Sequence, residues 1–379
     1  MTSSTQDIAP AFPALQPGAG IDRDAIYVPA DPSTVLWGRL PCARESAVAT
    51  VDSGQTLLVD TISHEGILED QGSDPLAYFG RHGVEPDQVL ADAVEVTAAL
   101  RRDPQAGPHI VTGPIAVRGA KPGDLLAVRV EELTMRAPYG VISTRHGRGV
   151  LTAHSDFDGD YGQFCTVRRH DDGWFASMPL RDGQPPTRFP LAPFLGIIGV
   201  ATDTVSRVSS VPPGRHGGNI DIRRLTAGAT LFLPVQVPEA QLYIGDPHFA
   251  QGNGEVALTA LEAPLRARLS VEVITAAQVR AGLGRSVGPF AAAHGLLIPT
   301  GLDADLNEAL SLCVGNAVEL LVSLFDADPR RAYLYLSAAT DFTISQAVDQ
   351  VRGVHGEIRV ADFARRADTE LARRILERV

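Results

Sequence analysis

Glycine and proline interrupt this chain too often for long helices to dominate it. The sequence has 36 glycines and 27 prolines in 379 residues, and Val, Leu and Ile come in short runs between them. Glycine adopts turn conformations freely, and proline cannot donate a backbone hydrogen bond, so both residues end regular elements. The pattern predicts many short strands joined by turns, and it argues against a helical bundle.

The charge and composition of the chain exclude several classes of function. Its formal net charge of −12 argues against nucleic acid as a partner and favours a small neutral or cationic ligand. We find no apolar run long enough to span a bilayer and no secretory leader, so the sequence predicts no membrane partner and a cytoplasmic location. The three cysteines are far apart, which indicates neither a disulfide framework nor a cysteine-based zinc site.

Hydrophobic patterning places most of the predicted strands in the first two thirds of the chain. We expect a flexible tail over residues 1–20 and a single domain over 21–379. Within that domain, a β-rich core covers about 35–270 and a mixed α/β part covers 271–379. Apolar periodicity predicts a buried strand over 333–338 and helices over 86–102, 276–283, 304–324 and 361–378.

Two segments of the chain repeat each other at a constant offset of 105 residues. The repeat predicts a duplicated strand–turn–strand unit. Asn219 and Asp221 of the second copy replace Pro114 and Ala116 of the first, so the scaffold recurs and the polar pair does not. The identical positions are Gly113 and Gly218, Ile115 and Ile220, Arg118 and Arg223, Gly123 and Gly228, Leu126 and Leu231, and Val130 and Val235.

Two polar pairs, each spaced two residues apart, are the main functional feature of the sequence. Asn219 and Asp221 form the first pair, and Asp246 and His248 form the second. Residues i and i+2 of an extended chain point to the same face. The first pair is equally compatible with a polar turn. For the second pair the alternative is a solvated hairpin loop, but its apolar neighbours favour a buried site, where such groups must be paired or bound to a metal.

The remaining polar groups favour attack by water over a covalent mechanism. Gln251 and Glu255 follow the second pair in a glycine-rich loop, and His64 with Glu65 forms another histidine–acid pair after a predicted strand. The sequence has no phosphate-binding loop, no Gly-x-Ser-x-Gly elbow and no cysteine in a nucleophile context. Histidines and carboxylates without such a nucleophile indicate metal-assisted or acid/base-assisted hydrolysis.

Three segments resemble the acetamidase/formamidase family of amide hydrolases. They are His216-Gly-Gly-Asn219-Ile-Asp221, GATLFLPVQVP at 228–238 and GDPHFAQGNGE at 245–255, and the resemblance runs from roughly 35 to 355. It implies a mainly β, β-sandwich-like fold with α/β additions, α+β overall. It also implies hydrolysis of short-chain amides to carboxylate and ammonia, a bound divalent metal, and a homo-oligomer of two or more copies.

This sequence departs from the family pattern at two places. Asn253 stands where the family usually has Asp, and the segment 151–190 diverges. Both departures concern the choice of substrate or the metal more than the reaction.

The resulting hypothesis is an enzyme that hydrolyses a small linear amide such as formamide or acetamide. Mixed histidine and carboxylate ligation suits zinc first, with calcium or manganese as alternatives. Glu255, or else Glu65 with His64, would take the water proton and pass it to the leaving nitrogen. Asn219 and Gln251 would hydrogen-bond the amide. The expected metal ligands are His216, Asp221, Asp246 and His248.

Two other functions stay open on the same residues. One is hydrolysis of a larger or cyclic amide at the same site. The other is a non-catalytic, metal-dependent β-sandwich protein that binds a small ligand, with Asn253 marking lost catalysis. Glu255, retained beside an intact Asp-x-His sequence, argues against the second alternative.

Overall fold

Short strands make up most of the regular structure of the chain. The computed structural model describes residues 11–145, 147–151, 159–283 and 288–379. In chain order the strands are β1 Ile26–Val28, β2 Val35–Trp37, β3 Arg39–Leu40, β4 Ala49–Val51, β5 Thr56–Asp60, β6 Ile110–Val117, β7 Leu125–Met135, β8 Tyr139–Thr144, β9 Tyr161–His170, β10 Gly173–Met178, β11 Thr187–Pro190, β12 Phe194–Val200, β13 Val208–Ser209, β14 Gly217–Asn219, β15 Thr230–Pro234, β16 Leu242–Ala250, β17 Leu261–Glu262, β18 Leu265–Ile274, β19 Phe290–Ala293, β20 Leu296–Asp303, β21 Asp341–Gln346 and β22 Arg352–Arg359.

The helices lie in two regions, before β6 and after β18. They are α1 Pro75–Gly80, α2 Ala91–Ala99, α3 Ala276–Gly282, α4 Leu306–Phe325, α5 Pro329–Ala339 and α6 Glu370–Leu376. Short 3-10 turns occur at Glu69–Gln71, Pro86–Gln88 and Val360–Asp362.

Two large sheets pack face to face, with helices on the outer face of one. The first sheet has the order β1-β5-β18-β7-β15-β19-β20-β22-β21. The second has the order β11-β10-β9-β8-β17-β16-β12-β14, and β6 joins it by pairing with β16, β2 and β4. Side chains alternate along β7: Leu126 and Val128 enter the core cluster shared by both sheets, whereas Leu125 and Ala127 enter a cluster with the helices. The predicted mainly β, sandwich-like fold with α additions is confirmed.

One predicted strand is wrong. Residues 333–338 lie in the helix α5, which begins with Pro329 after the N-cap residue Asp328. Tyr333 and Leu334 are exposed, while Ala332 and Leu336 are buried. The buried positions are therefore four residues apart, as on a helix, while Tyr333 points away from the core.

The other helices match in position and differ in length. Residues 86–102 contain a 3-10 turn and then α2, because Val89 and Leu90 between them are extended. Residues 361–378 contain only the short helix α6 after a 3-10 turn. The helices predicted over 276–283 and 304–324 correspond to α3 and α4 within two residues.

The two copies of the sequence repeat meet in the first sheet. The strands β7 and β15 pair antiparallel, with Ala127 opposite Phe232 at the centre. The amide of Gly123 donates to the carbonyl of Val235, and the equivalent amide of Gly228 donates to the carbonyl of Val130. The hydrogen bonds thus obey a local two-fold axis, as a duplicated unit would.

By length and composition alone, one described helix is apolar enough to cross a membrane, namely α4. This helix packs against β20 and β22, and it buries Leu320, Leu321 and Leu324 in the core. A core helix passes the same test as a membrane span, so the observation is weak evidence for a membrane.

Residues 11–20, predicted as part of a flexible tail, are tied to the domain by several contacts. The Leu15 amide donates to the carbonyl of Arg136, and Gln16 donates to the carbonyls of Asp87 and Val89. The ring of Phe12 packs edge-on against Trp174, with centroids 5.4 Å apart. Residues 1–10 of the predicted tail lie outside the described residues.

Candidate metal centre and active site

The strands β14, β12, β16 and β17 bring the polar pairs together at one point of the second sheet. Asn219 ends β14, and Asp246 and His248 lie on β16. On the adjacent β17, Glu262 is directly opposite His248. His64 follows β5, and His109 immediately precedes β6.

Three histidines and two carboxylates form the centre of the site. His248 Nε2 lies 3.0 Å from Glu262 Oε1 and 3.2 Å from Asp246 Oδ2. His64 Nδ1 lies 3.5 Å from the other Asp246 oxygen, and His109 Nε2 lies 4.0 Å from Asp246 Oδ2. Asp246 and His248 share a face, as their spacing predicts.

The cluster is buried, and many of its polar atoms have no hydrogen-bond partner among the residues that the structure describes. Unpartnered polar atoms at such depth are costly unless a ligand satisfies them. The unpartnered atoms are His64 Nδ1 and Nε2, both carboxylate oxygens of Asp221, Asp246 Oδ1, His248 Nε2 and Glu262 Oε2. Three groups have the spacing to hold an ion: His64 with His109 and Asp246, Asp246 with His248 and Glu262, and Asp221 with His248 and Glu255.

Gly196 on β12 leaves the space that this cluster occupies. A Cβ atom at this position would lie 2.4 Å from Asp221 Oδ1, 2.7 Å from Asp246 Oδ2 and 2.7 Å from His248 Cε1. Each of these distances is too short for nonbonded heavy atoms. The donor set, its unpartnered atoms and this missing side chain all fit a bound divalent cation.

The acidic groups of the site lack enough positive charge. Burial raises the pKa of Asp221 well above its usual value, and Glu255 and Asp349 raise it further. Burial also raises the pKa of Asp349 to about 8. Carboxylates that raise each other's pKa in a buried cluster would be relieved by a cation.

Three of these acids have a left-handed backbone, which is unusual outside glycine. The φ angles are 46° at Asp221, 51° at Asp246 and 47° at Glu255. Such conformations cost about 1–3 kcal/mol each, and they persist where the surrounding structure imposes them. Their concentration among the acids of one cluster indicates that the fold holds these side chains for function.

Glu65 is fixed as an anion beside His64. It accepts hydrogen bonds from Arg145 Nη1 at 2.7 Å and from Ser143 Oγ at 2.8 Å. Burial would raise the pKa of Glu65, but Arg145 and His64 hold it below its usual value. Its Oε1 lies 3.5 Å from His64 Nε2, so Glu65 orients His64 and is a poor proton acceptor.

Gln251 contacts the protein in place of the predicted amide substrate. Its Nε2 donates to the carbonyl oxygens of Asp221 at 3.0 Å and Ser345 at 3.2 Å. Its Oε1 lies 3.1 Å from His248 Nδ1. Because the two carbonyls fix the donor end of the amide, the other end accepts from His248 Nδ1–H, and His248 Nε2 is directed into the site.

If His248 binds a metal ion, replacing Gln251 by leucine should weaken metal binding about 10- to 100-fold, since the hydrogen bond that fixes the His248 ring is lost. Zinc affinity, measured by competition with a chromogenic chelator, checks this. The matched control is Gln184→Leu at an exposed position. Unchanged zinc affinity in a folded Gln251→Leu protein would show that this contact does not position His248.

The other predicted residues are divided between the site and its surroundings. Asn219 lines the cavity, and its buried Oδ1 has no hydrogen-bond partner in the described part of the chain, as expected of a group that meets a ligand. His216 belongs to none of the three clusters formed by described residues. Its ring lies against Gly214 and Gly218, and burial lowers its pKa to about 4. The structure therefore does not bring His216 among the predicted ligands.

Sequence reasoning missed Glu262, His109 and Asp349. Glu262 lies on a two-residue strand within the apolar sequence Leu261-Glu262-Ala263, where a lone charged residue is itself a signal. His109 immediately precedes β6 and contacts Ser210 Oγ at 3.0 Å through Nδ1. Asp349 follows β21 and carries no local sequence signal.

A cavity of about 1560 Å³ opens over this cluster. His64, Asp246, Glu255 and Glu262 line its polar end. The apolar part of the wall includes Leu306, Phe342 and Ile344 from the C-terminal part of the chain. Asn253, where the family usually has Asp, also lines the cavity.

Known proteins share both the sequence pattern and the fold. The sequence profile of the Acetamidase/Formamidase family matches residues 95–206 and 204–355. A formamidase of Methylophilus methylotrophus is 29% identical over 195 residues, which are 39% of this chain and 47% of that protein. An acetamidase of Mycolicibacterium smegmatis is 31% identical over 206 residues, which are 41% of this chain and 51% of that protein. The chain thus spans about half the length of the curated relatives it matches.

The fold is similar to that of solved structures over nearly its full length. The crystal structure of an acetamidase from Yersinia enterocolitica has a TM-score of 0.70 and 21% identity. The similarity covers 92% of this chain and 96% of that one.

Proposed function

We propose that this chain, which belongs to the acetamidase/formamidase family, is an amidohydrolase that uses a divalent ion to cleave the C–N bond of a small linear amide. The products are a carboxylate and ammonia. The observation that carries the proposal is the buried cluster of histidines and carboxylates with unpartnered atoms at the end of the cavity. The similarity to a formamidase and an acetamidase supports the reaction class.

The residues that would hold the ion are His64, His109, Asp246, His248 and Glu262, with Asp221 beside His248. When bound, a divalent ion polarises the amide carbonyl and lowers the pKa of water. Zinc suits this mixture of ligands, and manganese or calcium are alternatives.

Within this mechanism, Glu255 accepts the proton of the attacking water and delivers it to the leaving nitrogen. Glu255 lies at the cavity wall, in the same cluster as Asp221 and His248. Burial raises the pKa of Glu255, which makes the carboxylate a stronger proton acceptor in the first transfer, and the resulting carboxyl is the donor in the second. Asn219 lies where its side-chain amide can hydrogen-bond the substrate.

The cavity volume favours testing larger amides as a second candidate class. A volume of about 1560 Å³ exceeds the roughly 300–1,000 Å³ typical of small-molecule pockets. The apolar wall formed by Phe342 and Ile344 would contact an acyl chain longer than that of acetamide. Cytoplasmic location and self-association stay predictions.

The proposal predicts ammonia release from formamide, acetamide or a related linear amide by the metal-loaded protein. A panel should include propionamide, benzamide and a lactam, with the lactam followed by amine formation because ring opening releases no ammonia. Removing metal with a chelator should abolish turnover, and adding zinc, manganese or calcium back one at a time should restore it with at least one ion.

Each outcome of the panel distinguishes between the alternatives. Turnover of only the longer or cyclic amides would shift the substrate and keep the reaction. Binding of amides by the metal-loaded protein without turnover of any panel member would instead support the non-catalytic binding protein.

A further inference from the structure

Two carboxylates of the metal centre each direct their two oxygens toward different histidines. Asp246 Oδ1 lies 3.5 Å from His64 Nδ1, while Asp246 Oδ2 lies 3.2 Å from His248 Nε2. Glu262 repeats the arrangement, because its Oε2 lies 3.9 Å from His64 Nδ1 and its Oε1 lies 3.0 Å from His248 Nε2. The two histidines therefore face different oxygens of the same two carboxylates.

We infer that the centre binds two divalent ions, with Asp246 shared between them. His64, His109 and Asp246 would hold the first ion, and Asp246, His248 and Glu262 would hold the second; the possible ligand atoms within each group lie within 4.8 Å of one another. In two-metal hydrolytic sites the ions lie about 3.5–4 Å apart, so one carboxylate can contact both.

The atoms around His64 that have no hydrogen-bond partner are a second observation, separate from the distances above. His64 Nδ1, Asp246 Oδ1 and Glu262 Oε2 have no hydrogen-bond partner among the described residues. Their residues are 3%, 4% and 2% exposed. A cation beside His64 Nδ1 and Asp246 Oδ1, which lie 3.5 Å apart, would satisfy both atoms at once.

Neighbouring side chains leave one nitrogen of each histidine facing the carboxylates. Glu65, fixed by Arg145, lies 3.5 Å from His64 Nε2, and His64 Nδ1 faces Asp246. Gln251 contacts His248 through Nδ1, and His248 Nε2 faces Asp246 and Glu262. Each histidine thus has one nitrogen available to an ion.

The inference rests on the metal dependence in the proposed function. Its test measures the number of ions bound per protein molecule and does not depend on the rate of amide hydrolysis. The full-length protein is stripped with a chelator, titrated with Zn²⁺ alone and desalted, and the bound metal is measured by elemental analysis. A second sample is loaded with Mn²⁺ and examined by electron paramagnetic resonance. We expect two equivalents of zinc and the spectrum of two exchange-coupled Mn²⁺ ions.

Substitution of one terminal ligand should separate the two ions. His109→Gln should bind one equivalent of zinc and give the spectrum of isolated Mn²⁺. His294→Gln, at an exposed histidine, is the matched control and should keep both equivalents. The wild-type measurements remain decisive if His109→Gln does not fold.

One equivalent in the wild-type protein, or two equivalents without magnetic coupling, would overturn the two-ion centre. This result is separable from the reaction itself. Amide turnover with one bound ion would keep the proposed function and reject the inference. Two coupled ions without turnover of any amide would do the reverse.

Discussion

Gly196→Ala is expected to abolish tight metal binding and to lower kcat/KM by about 100-fold or more, although it adds a single methyl group. The added Cβ would lie 2.4 Å from Asp221 Oδ1 and within 2.7 Å of Asp246 Oδ2 and His248 Cε1. None of these atoms is the free end of a long flexible side chain. They must move apart, and they belong to the groups proposed to hold the metal.

The backbone of Gly196 does not itself require glycine, since its φ lies outside the left-handed region. The loss should therefore come from the site and leave the fold intact. Zinc content after desalting and amide turnover measure the effect, with the melting temperature as a check of folding.

Gly252→Ala is the matched control for this prediction. Gly252 lies in the loop after β16, has no φ in the left-handed region, and has no atom within 4 Å of the position of an added Cβ. Normal zinc content and turnover in Gly196→Ala would show that the cluster can expand without loss, and would contradict the role given to this glycine.

The local pattern predicted the residues of the site that lie on one strand. Asp246 and His248 both lie on β16 and contact each other at 3.2 Å, although Asp246 has a left-handed φ and departs from regular extended backbone. Asp221 also joins the site, with its Oδ1 at 3.9 Å from His248 Nδ1. These residues needed only the strand period and the rule that buried charges are paired.

The residues that were missed depend on pairing between distant segments. Glu262 reaches the site because β17 pairs with β16 so that Glu262 is opposite His248. His109 arrives because β6 pairs with the other edge of β16. Register between strands is set by the whole sheet, and a single sequence does not specify it at the level of two residues.

The contrast between local pattern and long-range contacts also explains why Gln251 was predicted to bind the substrate. An amide side chain in a polar loop is a reasonable substrate contact, and the sequence offers no sign of what else it could meet. The carbonyl of Ser345, from a strand near the C-terminus, takes one of its two donor positions and turns the amide toward His248. Long-range backbone contacts thus convert a predicted binding residue into a positioning residue.

Glu255→Gln is expected to lower kcat by about 10²- to 10⁴-fold while the protein keeps its metal, because the proton acceptor is lost and the shape of the side chain is not. The structure favours Glu255 over Glu65 for this role. Glu65 is held as an anion by Arg145 and Ser143, whereas Glu255 lies at the cavity wall.

The pH dependence of the reaction tests the same assignment. Burial raises the pKa of Glu255 well above its usual value of 4.5, and Asp349 and Glu262 add to the effect against the opposing influence of His248. Only the ionised carboxylate accepts a proton, so kcat/KM of the wild-type enzyme should fall as the pH drops through this raised pKa. The residual activity of Glu255→Gln should lack that acid limb.

Glu95→Gln, at an exposed position on α2, is the control and should keep the wild-type rate and pH profile. Zinc content must be measured on each variant, since Glu255 also lies close enough to Asp221 and His248 to ligate an ion. Loss of metal together with activity would assign Glu255 to metal binding, and full activity with an unchanged acid limb would remove it from the mechanism. If Glu255 acts as the general base and not as a metal ligand, the variant should keep its metal, lose turnover and show no acid limb in its pH profile.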